Sequence, residues 1–183
     1  MADRSTFVES FRIAAPYIHA HRGQTFVVLM GGEAAVERSF ERLISDVALL
    51  HGLGVRVVLV HGTRPQIERR LKERGLESRV VDEVRVTDRA ALACVHEAVG
   101  AARARFEQAL SSGASHTPMA GARIRVAGGN VVTARPLGVR DGVDFLYTGE
   151  VRRIDVEGIE RQLDAGAIVL VSPLGFSPTG ESF

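Results

Sequence analysis

Two short apolar runs end abruptly in glycine: Thr25-Phe-Val-Val-Leu-Met-Gly-Gly-Glu33 and Val55-Arg-Val-Val-Leu-Val-His-Gly-Thr-Arg-Pro65. Glycine at a strand exit lets the backbone turn sharply and lets a ligand approach it closely. At the carboxyl end of a parallel strand, a turn of this kind with a helix after it presents N–H groups to an anion, phosphate above all. Gly31, Gly32 and Gly62, with Thr63 and Arg64 beside them, therefore mark the first candidate site. The competing reading is steric, two tight turns and nothing more. Phosphoryl transfer would also need a cation on the migrating group. Lys72, the single lysine, lies too far into its helix to serve either turn. Arg64 is better placed, because its planar fork can hold a carboxylate in bidentate fashion. Arg85, after a β-like segment, is a second candidate, and a surface ion pair is the alternative for both. His61 could act as an acid–base group, although a hydrogen-bonded structural histidine is the preferred reading. His19 and His21 are two apart on a predicted helix and share no face.

Several chemistries find no support. Neither a P-loop nor a dinucleotide fingerprint is present. No Ser-His-Asp set, nucleophile elbow or metal-ligand spacing stands out, so no catalytic residue and no metal are expected. Cys94 is the one cysteine and sits in an apolar context, which predicts a small core residue. The formal charge of +1, from 23 basic and 22 acidic residues, argues against a nucleic-acid surface. The absence of a long apolar run argues against a membrane span, and the N-terminus lacks a signal-peptide pattern, so the cytoplasm is the expected compartment.

The elements that position these residues alternate between strand and helix. Residues 5–20 have a helical apolar period through Phe7, Phe11, Ala14, Ala15 and Ile18, with Pro16 predicting a kink or break. Strands at 25–30 and 55–60, buried on both faces of a parallel sheet, are each followed by a helix, at 35–51 (stopped by Gly52) and from Pro65 to near Gly75. Thr87 or Asp88 can cap a long helix to about Leu110, followed by a polar loop at 111–118. From Arg123 the period becomes two, and Gly128-Gly129-Asn130 predicts a hairpin turn between Ile124–Val126 and Val131–Val132. β character continues over 145–153, then a short helix at 156–163 and a buried strand at 167–171. Residues 177–183 read as a turn and the start of another strand. The fold class is α/β, three-layered, with a mainly parallel central sheet, helices on both faces and a β-hairpin region near 123–153.

With these residues placed, the chain resembles the amino acid kinase family of arginine biosynthesis. It is similar to acetylglutamate kinases and, more closely, to the kinase-like domain of N-acetylglutamate synthases. The resemblance runs through residues 11–28, Gly31-Gly32, residues 58–67, Arg85-Val-Thr-Asp88, Tyr147–Asp155 and Val169–Gly175. Active kinases of the family carry a lysine two residues before the paired glycines, where this chain has Leu29, and a triple-glycine turn where it has Gly62-Thr63-Arg64. Both departures imply an impaired kinase cleft and point to the synthase. The resemblance further implies an N-terminal helix, residues 1–22, that joins subunits into a homo-oligomer and helps bind the effector L-arginine, with Tyr17 as the contact. Residues 23–183 would then be a kinase-like domain, incomplete at its C-terminal end. It implies no cofactor in this span, acetyl-CoA being a substrate of the parent protein. Two rivals stay open: an acetylglutamate kinase fragment and a stand-alone arginine-binding module.

Overall fold

The computed structural model describes residues 4–35, 39–112 and 119–183. Four parallel strands form the central sheet in the order β1 (Thr25–Met30), β2 (Arg56–His61), β10 (Ala167–Val171), β5 (Arg125–Gly128). One face carries α2 (Phe40–Gly52) and α4 (Arg89–Ser111). Their Ile44, Val47, Phe106 and Leu110 pack against Met30, Val57, Leu59, Ile168 and Leu170 of the sheet. The other face carries α5 (Val156–Asp164), whose Leu163 and Ile159 meet Val58 and Val169. A helix α3 (Arg64–Glu73) leans on α4 through Ile67, Leu71, Ala91, Cys94 and Val95. Cys94 is fully buried and unpaired, as its apolar context predicts.

The helix boundaries follow from local chemistry. The Asp88 carboxylate caps α4 by accepting from the Ala91 N–H at 2.8 Å, leaving Thr87 outside that role. Pro65 opens α3 where its missing N–H costs nothing. The stop after α2 is Gly54 rather than Gly52. Gly54 takes φ +91°, the left-handed conformation that ends helices, and donates to the His51 carbonyl at 3.0 Å. Helix α1 (Arg4–His21) runs unbroken through Pro16. Of the predicted helix 35–51 and loop 111–118, residues 36–38 and 113–118 lie outside the described residues.

Two further sequence expectations fail in the strands. β1 is buried on one face only, with Val27 at 70% and Leu29 at 74% exposure, because it stands at the sheet's edge and α5 does not reach it. The turn at 128–130 is not a hairpin. β5 stays in the parallel sheet beside β10, while β6 (Val132–Pro136) leaves it to pair antiparallel with β9 (Gly149–Ile154). Gly128 is needed for close packing, since a Cβ there would lie 3.0 Å from the Leu170 carbonyl oxygen. The true tight hairpins are elsewhere. β3 (Val80–Val81) and β4 (Val84–Arg85) are joined through Asp82 and Glu83, and β7 (Val139–Arg140) and β8 (Val143–Asp144) through Asp141 and Gly142, all four at positive φ.

Candidate functional site

The two glycine turns meet at the carboxyl ends of β1 and β2, where open α/β sheets place ligands. They touch backbone to backbone. A Cβ on Gly62 would stand 2.9 Å from the Gly32 nitrogen, and one on Gly32 would stand 2.7 Å from Pro65 Cδ and 3.0 Å from the Arg64 nitrogen. The steric reading of these glycines is therefore correct as far as it goes. It does not exclude a site, because the same packing opens a concavity of about 530 Å³ at the start of α3. Gly31, Gly32, Gly62, Thr63, Arg64 and Arg85 all line it, along with the β3–β4 hairpin.

Six of the seven residues expected in the cleft thus come together. Leu29 does not: it belongs to the exposed side of β1, with Val27. Tyr17, the expected effector contact, is 68% exposed on α1 and also stands apart from the cleft. The two arginines differ sharply. Arg85 is 14% exposed and donates to Glu68 Oε1 at 2.6 Å and to Ser78 Oγ, so its charge is already matched. For Arg85 the ion-pair alternative is the right one. Arg64 is exposed and has no carboxylate partner among the described residues. Close by, Thr63 is 2% exposed and its Oγ1 has no partner among the described residues. Gln66 donates to the Gly32 carbonyl at 2.7 Å and so ties the turns together, while its Oε1 also has no partner among the described residues. Gln66 was missed in the sequence, where it looks like any polar residue in a first helical turn.

His61 is 1% exposed and structural, as preferred. Its ring stacks on Phe106 with centroids 5.1 Å apart, and its Nε2 lies 2.8 Å from Ser172 Oγ, linking the ends of β2 and β10. Burial pushes its pKa below the ordinary 6.5, and nearby Arg103 adds to that, against a contact with the Gly62 carbonyl that acts the other way. Among the described residues no group of three His, Cys, Asp or Glu is arranged to hold a metal. None of the described helices is long and apolar enough to cross a membrane.

Comparison with known proteins gives this geometry its context. The amino acid kinase family profile matches residues 24–183. The chain belongs to the amino acid kinase family. It is 58% identical over 97% of its length to an amino-acid acetyltransferase of Azotobacter vinelandii, of which it spans 41%. Its fold matches a crystal structure of N-acetylglutamate synthase from Neisseria gonorrhoeae complexed with coenzyme A and L-arginine, with a TM-score of 0.87 and 38% identity. That match covers 97% of this chain and 42% of the synthase. Carbamate kinase from Giardia lamblia, at 16% identity and TM-score 0.55 over 88% of this chain and 61% of that one, shares the fold alone. The three-layer α/β kinase-like architecture expected from the sequence is the one present. The chain spans about two fifths of the length of the curated relatives it matches.

Proposed function

We propose that this chain is the kinase-like, regulatory part of an N-acetylglutamate synthase. The observation that carries this reading is the 58% identity across 97% of the chain to an amino-acid acetyltransferase, in which the aligned segment is a minor part of the whole. In the parent protein, acetyl-CoA and L-glutamate would give N-acetyl-L-glutamate and CoA in the cytoplasm. Both substrates would bind outside residues 1–183, so this span alone would be inactive. Its own contribution would be to sense L-arginine and to assemble subunits. A kinase reading is disfavoured by Leu29, which supplies no charge to a transferring phosphoryl group. Acetylglutamate-dependent ADP release by the purified chain would restore that reading.

Helix α1 supports the assembly role. Phe7, Phe11, Ile13 and Tyr17 are each more than half exposed, an apolar display that a solitary helix in water does not favour. Residues 1–22 would be the oligomerisation and effector element, with Tyr17 touching arginine. The test is an acetyl-transfer assay on the full-length parent with arginine titrated in, for the natural protein and Tyr17→Ala. A roughly tenfold rise in the half-inhibiting arginine concentration is expected, the scale of losing one aromatic contact. Light scattering on Phe7→Asp/Phe11→Asp should give a smaller particle. Unchanged arginine inhibition together with an unchanged particle size would sink the proposal.

A further inference from the structure

A second concavity, of about 560 Å³, lies beside the β6–β9 ribbon and is lined by Asn130, Thr133, Arg152, Arg153, Phe176 and Ser177, with Val132 and Pro178. Its two arginines are consecutive in the chain. On a regular strand, neighbours point to opposite faces. Here the ladder slips: Thr133 faces Arg153 while Ala134 faces Val151, which leaves Arg152 as an extra residue without a partner position. Such a bulge re-aims side chains, and consecutive Arg152 and Arg153 both line the same hollow.

The charged residues that line this hollow are both basic. None of its lining residues is acidic. The nearest carboxylate on the strand, Glu150, is already held by Arg135 and Arg140 at 2.7 and 2.8 Å. Asp155, just beyond the strand, is committed to the Gly158 N–H as the cap of α5. Glu181 accepts from Thr179 Oγ1 at 3.0 Å and from Ser177 Oγ at 3.4 Å, so it is held within its own turn. Among the described residues neither Arg152 nor Arg153 has an ion-pair partner, whereas Arg56, Arg74, Arg85, Arg103, Arg135 and Arg140 each have one. The opposite wall is fixed by a backbone bond from the Ala134 N–H to the Phe176 carbonyl at 2.9 Å.

The geometry points to a binding site for a small molecule bearing a carboxylate or phosphate group. Arg152 and Arg153 grip the oxyanion, Asn130 and Thr133 supply further polar contacts, and the rest of the ligand lies on Val132, Phe176 and Pro178. The volume falls in the usual range for small-molecule sites. Paired guanidinium forks suit both oxyanions, so the shared chemistry is assigned and the probes separate the sources. This site is independent of the proposed arginine response.

The test follows the arginine Nε–Hε NMR signals of the intact protein during titration with succinate and, separately, inorganic phosphate, against sodium chloride at matched ionic strength. Saturable shifts of Arg152 and Arg153 with at least one probe are expected, and the tighter probe identifies the oxyanion. Arg152→Gln/Arg153→Gln should weaken binding at least about tenfold. Arg152→Lys/Arg153→Lys keeps the charge and the fold but not the forks, and should also weaken it, by a smaller factor. Shifts that match those in sodium chloride overturn the assignment. So does saturable binding that either double variant leaves unchanged.

Discussion

The two faces of strand β1 have nearly the same chemistry and opposite fates. Phe26, Val28 and Met30 point into the layer made by α2 and α4 and join the main core. Val27 and Leu29 point the other way and are 70% and 74% exposed. An alternating polar side would have announced a half-solvated strand, yet Thr25-Phe-Val-Val-Leu-Met30 is apolar almost throughout. Hydrophobicity therefore states what a residue tolerates, while cover depends on which helix the topology brings over it. The covered face also holds the ring that adjoins the glycine cleft. Phe106 from α4 reaches both Phe40, at a centroid distance of 5.1 Å, and His61, whose ring anchors the end of β2 next to the glycine cleft.

Substitutions on the two faces should therefore diverge widely. The largest effect is expected for Phe106→Ala, which empties a fully buried position in contact with two rings. A loss of about 3–5 kcal/mol is expected in urea unfolding, from lost transfer energy and the cavity left behind. A loss under about 1 kcal/mol would mean that the α4 face is not the tighter one.

An intermediate effect is expected from pH, again through the covered face. Both His61 and His51 have pKa values pushed below 6.5 by burial. The unfolded chain then binds protons that the folded chain resists, so stability is complete above pH 6.5 and falls as the pH drops below it. Urea midpoints measured from pH 7.5 down to about 5 should show this decline, and His61→Gln should flatten it. A midpoint that rises on acidification would contradict the buried, neutral assignment.

The smallest effect belongs to the open face. Val27→Ser and Leu29→Ser remove apolar surface that is already in water, so stability should change by no more than about 0.5 kcal/mol. The same unfolding experiment checks this. A loss like that of Phe106→Ala would show that something covers β1 in solution and would erase the contrast.

Much of this architecture was legible in the sequence, and most of the exceptions share a cause. A cap at Thr87 or Asp88, Pro65 at a helix start, buried Cys94, the alternation of strand and helix, and the glycine turns at 31–32 and 62–64 all follow from local rules. These signals are contained in a few consecutive residues, because capping, backbone freedom and periodicity act over one or two turns. The partners of a residue are not local. Glu68 neutralises Arg85 from 17 positions away. Ser172 meets His61 across 111 positions. Gly128-Gly129-Asn130 has the composition of a hairpin, yet β5 pairs with β10 and not with the strand that follows it. The exposure of Leu29 depends on where α5 lands, and the shared direction of Arg152 and Arg153 depends on a slip in the β6–β9 ladder. The sequence by itself determined the larger elements, most of their ends and the glycine turns, since those energies are set by neighbouring residues along the chain. Only the tertiary structure decided which arginines remain free and which apolar faces are covered, since those depend on contacts between segments that the chain order does not specify.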